Sequence, residues 1–269
     1  MKQVFAAILV GAVAGPAGAW SVEDVLEARL LPGWRAADGT HMAALHLTLA
    51  EGWKTYWRAP GENGVPPRFD WAGSENVAGV EAHWPRPTVF DAGGLRIIGF
   101  ANELVLPLEF TLEDGAAPAR LETRVDLGVC ETICVPVQVD LTVDLPAVLT
   151  GAAAGDARIT AALAHRPESA AAAGLRAAAC TVEPVADGLR LTAALEMPRL
   201  GPDEFAVIEL ADEAIWVSEA ISMRSGDRLT AEADLVAMDG SAVTLDRADV
   251  RITVLAGGRA VELVGCPAP

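Results

Sequence analysis

Short runs of alternating apolar and polar residues fill the chain from Val22 to about Pro146, separated by Gly, Pro, Asp and Asn. His41 to Leu49 and Leu104 to Phe110 alternate, and Arg120 to Leu127 and Val135 to Val143 do so most clearly. A period of two sends successive side chains to opposite faces of a strand. Short strands with regular turn signals between them predict a β-sandwich or barrel. One stretch breaks the rhythm: Trp53 to Trp71 holds Pro60, Gly61, Gly64, Pro66 and Pro67 and reads as a long loop. Loops of that length are functional or mobile more often than not.

Between Ala147 and Leu175 the composition shifts to alanine, and Ala157 to His165 has helical spacing that Arg166-Pro167 should end. From Ala179 onward strand-like text returns, with hairpin signals at Ala186-Asp187-Gly188, Ser225-Gly226-Asp227 and Gly257-Gly258. The expected architecture is all-β: two immunoglobulin-like β-sandwich domains joined by a short helical connector. The expected boundaries are 20–146 for the first sandwich, 147–175 for the connector and 176–269 for the second sandwich.

Residues 1–19 read as a signal peptide, with Lys2 at the start, an apolar stretch from Val4 to Val13, and Ala17-Gly18-Ala19 as the cleavage site. That stretch is shorter than the ~20 residues a membrane-spanning helix needs. The alanine-rich run from Ser169 to Ala173 is flanked by Glu168 and Arg176. A soluble, extracytoplasmic mature chain without membrane insertion is therefore expected. Net charge is −17, or −18 once Lys2 is removed with the signal, which argues against nucleic acid or anionic lipid as a partner. Lys2 and Lys54 are the two lysines against eighteen arginines, a bias with no functional reading.

Four cysteines in an exported chain most simply form two pairs. Cys130 and Cys134 share one segment of the first sandwich, whereas Cys180 and Cys266 lie near the first and last strands of the second. A Cys180–Cys266 bond would close a loop of 85 intervening residues, worth roughly 4–5 kcal/mol in the chain-entropy model, and reads as a structural disulfide. A Cys130–Cys134 bond stabilises much less, because loop-closure entropy grows with loop length, and a tight ring is easier to reduce. The spacing alone leaves this pair open to two readings, a local staple or a redox tool. Asp126 and Glu131 bring negative charge near the thiols, and no Lys or His lies close in sequence, so the thiolate is not favoured unless folding supplies a cation. There is no Cys-x-x-Cys at a helix start, which sets aside a thioredoxin-type site.

Several ordered motifs accompany the pair. Gly52-Trp53-Lys54-Thr55-Tyr56-Trp57-Arg58-Ala59-Pro60-Gly61 continues to Pro66-Pro67-Arg68-Phe69-Asp70-Trp71. Trp84-Pro85-Arg86-Pro87, Ile98-Gly99-Phe100 and Leu104-Val105-Leu106-Pro107 follow, then Gly128-Val129-Cys130 and Cys134-Val135-Pro136. Over about Trp20 to Pro146 the chain resembles the periplasmic N-terminal domain of the DsbD/ScsB thiol:disulfide interchange proteins. The later domain resembles the second sandwich of the ScsB-type branch. The resemblance implies a Cys130/Cys134 pair cycling between dithiol and disulfide, with Cys134 attacking a substrate disulfide and Cys130 resolving the mixed disulfide. It implies electrons from a membrane-embedded thiol reductant, DsbD-like or CcdA-like, passing to periplasmic thioredoxin-fold proteins. It also implies a cap loop over the pair, within Val89 to Arg96, with Phe90 beside Asp91 as the nearest match to an aromatic cap and Gly93-Gly94 as a hinge. The three-residue spacing between the cysteines follows the ScsB-like branch. The membrane segment and thioredoxin domain that usually follow do not occur within the 269 residues.

Trp53, Tyr56 and Trp57 share the long loop and are candidates for lying beside the cysteines, as is Glu131 between them. No cofactor is expected. His41 and His46 fall on opposite faces of a strand, and His83 and His165 are isolated, so no histidine metal site is expected. The competing function is a non-catalytic binding sandwich, or one that handles Cu(I) through the two thiolates in copper tolerance.

Overall fold

A computed structural model of the chain describes residues 21–61, 64–92, 94–147 and 156–269. The expected signal peptide, residues 1–19, and residues 148–155 of the connector lie outside the described residues.

The first part contains β1 (Leu26–Arg35), β2 (His41–Leu49), β3 (Lys54–Tyr56), β4 (Arg68–Asp70) and β5 (Gly79–Ala82). It continues with β6 (Thr88–Ala92), β7 (Leu95–Ala101), β8 (Glu103–Thr111), β9 (Ala119–Cys130) and β10 (Cys134–Leu145). These form two antiparallel sheets, β1-β2-β8-β5 and β10-β9-β3-β7-β6, with β4 pairing on β9. Leu45, Leu47, Leu106 and Leu108 from the first sheet meet Ile98, Leu121, Val125, Leu127 and Val129 from the second in one buried core. Each such side chain, removed from water, contributes about 1.5–3 kcal/mol before the entropy of ordering the chain is offset.

Helix α1 (Ala157–Ala164) starts at Asp156, whose side chain accepts the backbone N–H of Arg158 at 2.9 Å, and ends at His165 just before Arg166-Pro167. Its fully buried Ile159 packs with Leu31 and Ala44 on the side of β1 and β2 away from the main core. This explains why β2 is buried on both faces although its sequence alternates.

The second part contains β11 (Glu168–Ser169), β12 (Ala177–Val185), β13 (Gly188–Glu196), β14 (Phe205–Glu209) and β15 (Ile215–Val217). Strands β16 (Ile221–Ser225), β17 (Arg228–Ala237), β18 (Arg251–Ala256) and β19 (Arg259–Val264) complete it. Its sheets are β11-β19-β18-β14 and β12-β13-β17-β15, with β16 beside β17. Cys180 of β12 is bonded to Cys266, just beyond β19, so the bridge ties the two sheets together around a separate core. The fold is thus all-β, with two immunoglobulin-like sandwiches and a small helix.

The two sandwiches pack directly on each other. Phe205, Leu255 and Ala260 of the second join the core cluster of the first. Arg58 inserts between them, bonding Glu209 at 2.8 and 3.1 Å and Glu262 at 2.5 Å. Arg251 holds the other oxygen of Glu262 at 2.8 Å.

Two expectations need correction. The stretch Trp53 to Trp71 is not wholly loop, because β3 and β4 lie inside it. Each is three residues long, too short for alternation to register, and each is fixed by neighbours distant in sequence. The segment from Val89 to Arg96 is likewise a β-hairpin, β6 turning at Gly94 into β7, and not an open loop.

Candidate functional site

The two cysteines end a long ladder. Strands β9 and β10 pair without interruption from Ala119 opposite Leu145 to Cys130 opposite Cys134, and Glu131-Thr132-Ile133 form the turn beyond. Directly opposed residues of an antiparallel pair share a face. The register therefore presents both sulfurs on the same side, and Cys130 and Cys134 are joined as a disulfide. Their surroundings differ sharply: Cys130 is 5% exposed, whereas Cys134 lies open to solvent.

Strand β3 brings the other chemistry. Lys54 pairs with Cys130, and Tyr56, two residues on, falls on the same face beside Gly128. The Tyr56 hydroxyl lies 2.9 Å from Sγ of Cys130 and 3.1 Å from Sγ of Cys134. Disulfide sulfurs have no hydrogen to give, so here the phenol donates. Its ring fits because two neighbours lack side chains: a Cβ on Gly128 would come 2.9 Å from Tyr56 Cε2, and one on Gly64 2.9 Å from Tyr56 Cδ1. Tyr56 is 3% exposed, and burial pushes its phenol pKa upward, so it stays protonated and able to donate at neutral pH.

On its other edge β3 pairs with β7, and β7 with β6. Tyr56 stands opposite Gly99, Gly99 opposite Thr88, and Phe90 follows two residues later on the same face. The Lys54 ammonium sits 5.5 Å from the centre of the Phe90 ring and donates to the Gly52 carbonyl at 3.1 Å. One sheet face thus carries Cys134, Cys130, Lys54, Tyr56 and Phe90. The fold places a cation, absent from the neighbouring sequence, opposite Cys130. Sequence reasoning missed Lys54 because its place opposite Cys130 depends on a strand pairing 76 residues apart; the available signal was its rarity.

The remaining candidates take different places. Trp57 turns into the core, fully buried, with the Arg58 guanidinium 4.1 Å from its ring centre. Trp53 packs against the same core from its edge. Asp91 caps the hairpin turn, accepting the Gly94 N–H at 3.2 Å. Glu131 sits in the cysteine turn, its carboxylate close to Gly52, and Asp126 accepts from Gln138 Nε2 at 2.7 Å. Two exposed apolar side chains lie in this region among polar ones: Ile133 is 61% exposed in the turn and Val65 47% exposed next to Gly128.

The histidines are engaged in structure. Nε2 of His41 bonds the Pro32 carbonyl at 2.6 Å, and Nε2 of His46 meets Glu103 at 2.6 Å. Among the described residues no group of three or more His, Cys, Asp or Glu side chains is arranged to hold a metal ion, and no helix is long and apolar enough to cross a membrane.

Residues 27–146 match the family model described as the N-terminal part of the thiol:disulfide interchange protein DsbD. Among solved structures, the chain is similar to the N-terminal periplasmic domain of ScsB from Proteus mirabilis. The identity is 24% and the TM-score 0.63, covering 91% of this chain and 95% of that one. The match therefore takes in both sandwiches. The C-terminal domain of the AgI/II polypeptide BspA from Streptococcus agalactiae aligns over 88% of this chain and 93% of that one at 8% identity, with a TM-score of 0.15. No curated protein matches the chain in sequence.

Proposed function

We propose that this chain, whose residues 27–146 are a DsbD-type N-terminal domain, relays electrons in the periplasm through Cys130 and Cys134. The donor is a membrane-embedded dithiol of DsbD-like or CcdA-like type, and the acceptors are oxidised thioredoxin-fold proteins. The observation that carries this reading is the asymmetry of the pair under one donor: an exposed Cys134 and a buried Cys130, both within reach of the Tyr56 hydroxyl.

In the dithiol state, the Cys134 thiolate attacks one sulfur of the acceptor disulfide and the acceptor's second sulfur leaves as a thiolate. Cys130, deprotonated in turn, attacks Sγ of Cys134 in the mixed disulfide and expels the acceptor's first sulfur. Two electrons and two protons move from the cysteine pair to the acceptor, and Cys130–Cys134 closes. Attack from the exposed sulfur and resolution from the buried one suit this order. The Tyr56 hydroxyl stabilises the thiolate by a charge-assisted hydrogen bond, and the Lys54 ammonium favours the same charge. The apolar surface of Ile133 and Val65 gives an acceptor something to dock on before exchange begins.

The test is mixed-disulfide trapping. Full-length chain carrying Cys130→Ala, reduced and mixed with an oxidised thioredoxin-fold protein, should accumulate a covalent adduct through Cys134. The Cys134→Ala chain should form none. Undiminished electron transfer by Cys134→Ala would remove the assignment, as would a Cys130–Cys134 bond that stays closed below about −300 mV, as structural disulfides do.

A further inference from the structure

The sheet face that carries the disulfide steps down beyond it. In the register of β9 and β10, Cys130 opposite Cys134 is followed on the same face by Gly128 opposite Pro136, then by Asp126 opposite Gln138. Arg68 of β4 extends this third row on the other side of Asp126. The middle row is low, because glycine has no side chain and proline only a compact ring. The third row is tall and held in place, since Gln138 Nε2 donates to Asp126 Oδ1 at 2.7 Å. Val65 walls the low row: a Cβ on Gly128 would come 3.1 Å from the Val65 Cβ. The result is an open notch of about 370 Å³, lined by Val65, Pro66 and Pro136, with Arg68, Asp126 and Gln138 at the end away from the sulfurs. A notch of this size takes a single bulky side chain.

Its distance from the sulfurs decides which side chain can enter. Pro136 follows Cys134 by two residues, about 6.8 Å along the strand. In a mixed disulfide on Cys134, the Cα of the acceptor's cysteine stands about 5.5 Å from that of Cys134, and the next acceptor residue about 3.8 Å further on. With the acceptor chain running along β10, the side chain of that next residue reaches Pro136 and Val65. Both are apolar and open to water, so an apolar side chain gains by covering them and a polar one does not. We propose that the notch is a specificity pocket of the redox site, selecting acceptor disulfides in which an apolar residue adjoins the reacting cysteine. The pocket rests on the redox reading of Cys130 and Cys134.

The experiment mixes the reduced full chain with three uncharged disulfides. One is hydroxyethyl disulfide; the others are the symmetrical dimers of acetylated, amidated Gly-Leu-Cys-Gly and Gly-Ser-Cys-Gly. Each turnover moves two electrons and two protons from the cysteine pair to the probe, which leaves as two thiols. Closure of Cys130–Cys134 is followed by alkylation and mass spectrometry, and each peptide rate is divided by the same chain's rate with hydroxyethyl disulfide. Wild type should prefer the Leu peptide to the Ser peptide about tenfold. Gln138→Trp fills the notch from β10 and Val65→Ser removes its apolar wall, so each should bring the preference below about threefold. A wild-type preference near one overturns the pocket, and so does a preference that survives both substitutions. If wild type discriminates the peptides but passes no electrons to oxidised thioredoxin, the pocket stands and the relay to thioredoxin-fold proteins falls. A reduced chain that closes on none of the three probes removes both.

Discussion

Lys54 stands directly opposite Cys130 across the β3–β9 pair, the one lysine of the chain beyond residue 2 facing the buried member of the cysteine pair. Its ammonium shares that face with the sulfurs while resting on Phe90 and the Gly52 carbonyl. Lys54→Met keeps the stem and removes the charge. The reduced pair should then titrate higher, by about half a unit to one unit, because a nearby cation no longer favours the thiolate. The rate of alkylation against pH, compared with Lys54→Arg, measures this; coincident profiles for Met and wild type would show that the ammonium does not reach the thiolate.

Tyr56→Phe removes the hydroxyl shared by both sulfurs and leaves the ring between Gly64 and Gly128. A hydrogen bond to a charged group is worth about 1.5–3 kcal/mol, so the attacking thiol should rise by about one to two pKa units and exchange at pH 7 should slow accordingly. Gly128→Ala should give the same kinetic signature by a different route, because its methyl pushes the ring aside. Unchanged thiol titration in Tyr56→Phe, with circular dichroism intact, would leave the phenol with a packing role alone.

Cys180→Ala paired with Cys266→Ala opens the 85-residue loop of the second sandwich. Stability in urea should fall by about 4–5 kcal/mol. The reduction potential of Cys130–Cys134 should stay where it was, since Cys180 and Cys266 lie in the core of the second sandwich and the Cys130–Cys134 pair ends a hairpin of the first. A potential that moved with the deletion would mean the second core is needed to shape the first.

His41 offers a pH test. Burial holds its imidazole pKa below the usual value, the bond to the Pro32 carbonyl opposes this, and Arg35 nearby adds to the lowering. In the unfolded chain it protonates near its ordinary pKa, so the unfolded state binds the extra proton first. Stability from this group is therefore complete above about pH 6.5 and is lost as pH falls from there toward the folded value, by at most about 1.4 kcal/mol per pH unit. Urea midpoints at pH 7.5 and 5.5, for wild type and His41→Gln, check it: the slope between them should shrink in the variant.

Much of the scaffold is written in period two. His41–Leu49 is β2 residue for residue, the alternation at Arg120–Leu127 and Val135–Val143 lies within β9 and β10, and helix α1 ends one residue before His165. Long strands register because half their side chains meet a core. The site was less legible. Cys130 and Cys134 announce themselves, but Tyr56 and Lys54 come from a three-residue strand whose place is fixed by pairing on both edges. No local pattern encodes that pairing. Arg58 is an ordinary surface arginine in sequence, and becomes a bridge only because a second sandwich lies against it.

The ladder that ends at Cys130 and Cys134 separates holding from bonding. Backbone pairing from Ala119 and Leu145 runs without interruption up to the cysteines and sets the two residues opposite each other independently of the bond between their sulfurs. The tip of the hairpin therefore works like an electrical contact soldered to a rigid board. On the proposed redox cycle its charge state would change and its position would not, so a partner would tell the loaded form from the spent one by a proton, a thiolate and the hydroxyl that answers it, with no large rearrangement of the protein required.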